Sequence, residues 1–194
     1  MKFKNISVTL WLIAVCVVVF IIQQFTNITD IISFTPATAL SQPWTFVTAI
    51  FLHASITHIL FNMMALFFFG IYLEKRISKR SFILIFFLAG IIGNIEYMLT
   101  SSDPTISALG ASGAIYGIMG TLAVLEPKLT VFVYGIPMPM FVAAIFWFVL
   151  NFFGLLGPNI GYGAHIGGLV VGVVAGFYFR SRLRKNAFIF QQTY

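Results

Sequence analysis

Charge is what this sequence has least of. Of its 194 residues only 8% are Asp, Glu, Lys or Arg, whereas 60% are hydrophobic, and the mean hydropathy is +1.00. A soluble domain carries about 25% charged residues. A water-exposed globule is therefore excluded, and the solvent for most of this chain is lipid. Cysteine is nearly absent too. The single Cys16 sits in an apolar run, cannot form an internal disulfide, and reads as a small lipid-facing or packing residue. No basic face with interleaved aromatics exists. The net charge of +6 comes from short basic runs between apolar stretches, so nucleic acid is not an expected partner. No small-x-small cleavage pattern follows the first apolar run. That run, 8–22, leads into Gln23-Gln24-Phe25-Thr26-Asn27, so it reads as a transmembrane helix and not as a signal peptide. Internal repeats are missing as well, and the whole of 1–194 is expected to be one domain.

What is abundant is apolar sequence of membrane length. A spanning helix needs roughly 20 apolar residues, and six such stretches are expected, at about 6–24, 52–73, 81–99, 111–126, 131–153 and 162–180. The fold class is therefore all-α, a compact polytopic bundle of six transmembrane helices. Residues 25–51 hold Pro36, Pro43, Trp44 and Phe46 and suit a long first loop lying in the membrane interface. Lys2, Lys4, Lys75, Arg76, Lys79, Arg80, Lys128, Arg180, Arg182, Arg184 and Lys185 all fall on one side of a six-span topology. By the positive-inside rule that side is cytoplasmic. The expectation is a multi-pass protein of the inner (plasma) membrane with both termini inside.

Polar side chains within spans are costly and mark function. Span two carries His58 and Asn62, four residues apart on one helix face. Span four opens with Gly110-Ala111-Ser112-Gly113, and span six with Gly163-Ala164-His165. Helical rise puts His58 about 24 Å and Asn62 about 18 Å above Glu74, Ser112 about 21 Å above Glu126, and His165 about 22 Å above Arg180. Four polar groups from three spans thus share one layer below the outer surface. Gly113, Gly117 and Gly120 in span four and Gly168, Gly172 and Gly176 in span six form two smooth ridges. Such ridges let helices touch backbone to backbone, which would bring Ser112 and His165 within hydrogen-bond reach.

A hydroxyl beside an imidazole permits acyl transfer. His165 can take the Ser112 proton and return it to a leaving amine. His58, Asn62 and the Ser112 backbone N–H can serve as donors to the oxyanion. No Asp or Glu lies at this depth to orient His165, so the expectation is a dyad. Tyr116, one turn after Ser112, can support the imidazole by packing. Hydrolysis needs water, so the site must open into a wet cavity, with Ser101-Ser102-Asp103 and residues 154–161 as wall and lid. A lone Gly-x-Ser-Gly, or a lone histidine among glycines, more often just packs; the shared depth is what argues otherwise. His53 is expected to be structural or interfacial, and Glu74 a hydrogen-bonding or topology element. Two rival readings are weaker. A small transporter or channel would show repeats or matched broken helices. A metal or haem protein would need more than His58 and His165 as ligands, so no metal or cofactor is expected.

With these residues in place the chain resembles the bacterial rhomboid intramembrane serine proteases, in their minimal six-span form. The resemblance rests on Gly110-Ala111-Ser112-Gly113, His58-Ile59-Leu60-Phe61-Asn62, Glu74-Lys75-Arg76 and Gly163-Ala164-His165, and covers nearly the whole chain. It implies a Ser112–His165 dyad, an oxyanion site from His58, Asn62 and a backbone amide, and Tyr116 stacked on His165. It implies single-span membrane proteins as substrates, cut near a helix-destabilised, small-residue site within the lipid bilayer. Span five and the loop before span six would act as lateral gate and cap. One departure stands out: the family often has Trp-Arg in the first loop, and this chain has Trp44-Thr45.

Overall fold

The structure is a computed structural model that describes residues 7–155 and 161–192, with side chains through Arg182. Helix α1 (Val8–Phe25) starts at Ser7, whose hydroxyl caps the Leu10 N–H. The long first connection contains α2 (Ile28–Ile32), α3 (Thr45–Thr48) and a 3-10 turn, Ala49–Phe51. The second span is three joined pieces: α4 (Ile56–Ala65), a π-helical segment Leu66–Gly70, and α5 (Ile71–Glu74). Then follow α6 (Lys79–Thr100), α7 (Ser112–Leu125), α8 (Met140–Phe152) and α9 (Tyr162–Gln192).

Among the described residues, four helices are long and apolar enough to cross a membrane: Val8–Phe25, Ile56–Glu74, Lys79–Thr100 and Tyr162–Arg182. The apolar helices α7 and α8 are shorter and complete the expected set of six. The chain is thus a polytopic, all-α membrane protein. Cys16 packs in the core and does not face lipid.

Two boundaries differ from those read off the sequence. The fifth span begins at Met140, not near 131. Residues before it form a hairpin of β1 (Thr130–Val133) and β2 (Ile136–Pro139), paired Thr130↔Pro139 through Val133↔Ile136. Tyr134 and Gly135 both have positive φ (50° and 80°), the geometry of a two-residue hairpin turn. Pro137 and Pro139 would break a helix but suit an edge strand. The second span begins at Ile56, not near 52, because the Ser55 hydroxyl accepts from the His58 N–H and caps α4 there.

Helix α7 is the centre of the bundle, buried from Gly113 to Leu122. A 14-residue helix is only about 21 Å long, shorter than the ~30 Å hydrocarbon core. Helix α7 therefore cannot reach both faces of the membrane; Glu126 and Lys128 follow one of its ends and Ser112 opens the other. Glycine lets α9 lie directly on it. A Cβ at Gly168 would collide with the Gly113 carbonyl, and one at Gly172 with the Gly117 carbonyl. The Thr121 hydroxyl, which bonds the Gly117 carbonyl at 2.9 Å, also reaches Gly172 O at 3.1 Å, pinning the crossing. Gly93 of α6 meets Ala164 O, so α6, α7 and α9 form one tight trio.

Two polar turns meet at one end of the bundle. Arg76 pairs with Glu126 at 2.8 Å, linking the turn after α5 to the turn after α7. Glu74 accepts from the Ser7 and Thr9 hydroxyls (2.6 and 2.9 Å) and from the Val8 and Thr9 amides (2.8 and 3.1 Å). It thereby satisfies two of the free amides at the start of α1 together with two neighbouring hydroxyls. At the other end the first loop is anchored without an arginine. Thr45 is buried and bonds Gln42 O, the Thr48 hydroxyl donates to Ile32 O, and the Asn94 amide donates from α6 to Phe46 O.

Candidate active site

Each side chain singled out in the sequence is held by a local device. Ser112 opens α7 directly after Gly110, which has φ 130°. A side chain at Gly110 would be strained by that φ and would also meet the His58 ring, 2.8 Å from Cε1. Only glycine suits this position. His165 lies on the first turn of α9, and Ser112 on the first turn of α7. The glycine crossing sets the distance between them: Ser112 Oγ lies 2.8 Å from His165 Nε2. Tyr116 stacks on the imidazole, with ring centroids 4.4 Å apart and an interplanar angle of 11°.

His58 and Asn62 approach from α4. The Ala54 N–H donates to His58 Nδ1 at 3.3 Å, so the ring proton of neutral His58 sits on Nε2. That nitrogen faces Gly110, beside Ser112. Asn62 is buried and donates one N–H to His58 O at 2.9 Å, leaving a second N–H for another acceptor. His53 is off the span, as its backbone bonds to Gln23 of α1 require. Its ring is buried edge-on against His58, with centroids 5.1 Å apart.

A cavity of about 2170 Å³ joins Ser112, His165, His58 and Asn62. Its walls include Phe61 and Met64 of α4, Trp147 and Phe152 of α8, and the β1 strand. Ser101 and Ser102 line its rim, as do Gly154 and Gly161, whereas Gly157 and Pro158 of the expected lid lie outside the described residues. Close by, the Thr105 hydroxyl and amide hold the exposed Asp103 carboxyl below the ordinary carboxylate range. The Tyr162 hydroxyl donates to Gly154 O at 3.0 Å, tying the end of α8 to the start of α9. Among the described residues, no three His, Cys, Asp or Glu side chains are grouped to hold a metal ion.

One polar residue of this site was not singled out from the sequence. Asn151 of α8 is 2% exposed, and its Oδ1 lies 2.7 Å from His165 Nδ1. Its Nδ2 donates to the Tyr116 hydroxyl at 2.8 Å and to Trp147 O at 2.7 Å. The signal was present: Asn151 is the one hydrogen-bonding amide side chain in the apolar run 140–153.

The fold and this site together define a class: a polytopic helical membrane protein that encloses a serine–histidine pair among its spans. The rhomboid domain family matches residues 40–182. The chain is 31% identical over 187 residues to the rhomboid protease GlpG of Haemophilus influenzae, covering 93% of this chain and 94% of that protein. It is 25% identical over 174 residues to rhomboid protease GlpG of Yersinia pseudotuberculosis and of Yersinia pestis, covering 88% of this chain. The chain spans 62% of the length of those Yersinia relatives. It belongs to the rhomboid family, and so to the serine-type proteases that work in membranes.

Proposed function

We propose that this chain is an intramembrane serine endopeptidase that cuts single-span membrane proteins in or near their transmembrane segments. Ser112 is the nucleophile and His165 the base. The observation that carries this reading is the 2.8 Å contact between Ser112 Oγ and His165 Nε2 inside a cavity lined by spans two, four, five and six.

The reaction follows from the geometry. Neutral His165 accepts the Ser112 proton on Nε2 as Oγ attacks the scissile carbonyl. The developing oxyanion lies among three donors: the Ser112 amide at the free start of α7, His58 Nε2–H, and the spare Asn62 N–H. The imidazolium then returns its proton to the leaving amine. Water, entering the cavity from the rim at Ser101 and Ser102, hydrolyses the acyl-enzyme with His165 again as base. The stacked Tyr116 ring keeps the imidazole from swinging away. Substrate enters from the bilayer, with α8, whose Trp147 and Phe152 line the cavity, as the lateral gate. The basic end of the bundle is cytoplasmic by the positive-inside rule, which puts the protein in the inner membrane with both termini inside. The whole chain, 1–194, acts as one domain.

The test is cleavage of a fluorescently labelled single-span substrate by the purified protein in detergent. Cleavage is expected from the native chain, with or without EDTA, and none from Ser112→Ala or His165→Ala. Native-level cleavage by Ser112→Ala would remove the serine from the mechanism.

A further inference from the structure

We infer that Asn151 is a positioning residue that fixes the tautomer of His165, so that the working unit is Asn151–His165–Ser112 and not a pair. This rests on the protease reading above. For Nε2 to accept the serine proton, the imidazole hydrogen must sit on Nδ1. Nδ1–H then needs an acceptor, and the atom 2.7 Å away is Asn151 Oδ1.

An asparagine can present either its oxygen or its nitrogen, so its orientation has to be decided. Here the neighbours decide it. The other end of the amide lies 2.7 Å from Trp147 O. A carbonyl oxygen only accepts, so the group facing it must be Nδ2. That nitrogen has two hydrogens, and the second goes to the Tyr116 hydroxyl at 2.8 Å. Turning the amide over would set Oδ1 against Trp147 O and aim Nδ2 at His165. The histidine would then have to accept on Nδ1 and carry its hydrogen on Nε2, where it cannot take the serine proton. Asn151 is thus locked by α8's own backbone into the orientation that produces the active tautomer. Burial at 2% exposure keeps water from competing for either bond.

The same amide ties down Tyr116, whose ring stacks on the imidazole at 4.4 Å. One side chain therefore fixes both the proton position and the ring position of His165. A neutral amide does this in a low-dielectric site without burying a second ion there, which a carboxylate would do. The remaining titratable groups around the imidazole are His58 from α4, Tyr116 from α7 and, on α6 against Gly163 and Gly167, Glu96.

The experiment compares the native chain with Asn151→Leu, which keeps the volume, and Asn151→Asp, which keeps the acceptor. Protein labelled with 15N-histidine is examined in detergent, with the His165 signals assigned by their loss in His165→Ala. Neutral His165 in the native chain is expected to show hydrogen on Nδ1. Asn151→Leu should lose this preference and lower kcat by about 100-fold with little change in KM. Asn151→Asp keeps an acceptor for Nδ1 but turns its second oxygen toward Trp147 O, so it should restore Nδ1–H while recovering only part of kcat, about tenfold over the Leu variant. Its carboxylate favours the imidazolium, so the acid limb of kcat/KM should move to higher pH. A role in packing alone would predict no tautomer change and no shift of that limb. Native Nδ1–H in the Leu variant, or full kcat there, would overturn the inference. Failure of the native chain to cleave would instead defeat the protease reading, and the nitrogen spectra tell the two failures apart.

Discussion

The substitution Gly168→Ala tests most directly how the site is assembled. Gly168 lies one turn beyond His165 on α9, and a Cβ there would collide with the carbonyl of Gly113, the residue after Ser112. The added methyl has no free space and meets backbone, which cannot rotate away. α7 and α9 must therefore separate by about 1 Å at the level of the serine–histidine pair, a displacement that can lower a rate about 100-fold. The Ser112–His165 contact of 2.8 Å would then exceed good hydrogen-bond length. Overpacking of this kind destabilises by about 1–3 kcal/mol, and at this chain length each kcal/mol lowers Tm by roughly 2–4 °C. Thermal unfolding and substrate cleavage should be measured on the same detergent preparation, beside Val174→Ala, which alters a residue 65% exposed on the outer face of α9. Gly168→Ala should lose both activity and stability, and Val174→Ala neither. A Gly168→Ala protein with lowered Tm but native kcat would refute the claim that this crossing sets the serine–histidine distance.

Further outcomes follow from other contacts. Replacing His58 or Asn62 by alanine should lower kcat by about 10- to 1000-fold with a smaller change in KM, as for other oxyanion donors; unchanged kcat in both would place the oxyanion elsewhere. Gly110→Ala forces a side chain into φ 130° and against the His58 ring, so it should lower Tm by the equivalent of about 1–3 kcal/mol and reduce kcat more than tenfold. Glu74→Ala strips partners from four donors at the start of α1 and should destabilise by about 2 kcal/mol. Arg76→Ala breaks a more exposed pair with Glu126 and should cost under ~1 kcal/mol, with cleavage unaffected; equal effects from the two would contradict the assigned roles.

Much of this protein was legible in its sequence, because lipid is a demanding solvent. Spans declare themselves by apolar length, and α1 and α6 lie within a few residues of where hydropathy put them. A polar residue in a span stands out against such a background, which is why Ser112, His165, His58 and Asn62 drew attention in the sequence; the structure brings all four to one cavity. Helical rise then set their common depth, and the spacing of Gly113, Gly117, Gly168 and Gly172 announced which helices meet. The hairpin 130–139 was hidden, because a short apolar strand and a span end look alike until pairing partners are known.

Tertiary structure alone decided the rest. Depth and period say which residues share a layer, not which atoms touch. That His165 turns one nitrogen to Ser112 and the other to Asn151 depends on how α8 leans against α7 and α9. No spacing within one helix encodes that lean. The orientation of the Asn151 amide depends on a carbonyl one turn away and a hydroxyl on another helix. Sequence fixes the chemistry available at each depth, since lipid tolerates no stray polar group. The fold fixes which of those groups share a proton, since hydrogen bonds act over ångströms and only packing brings distant segments that close.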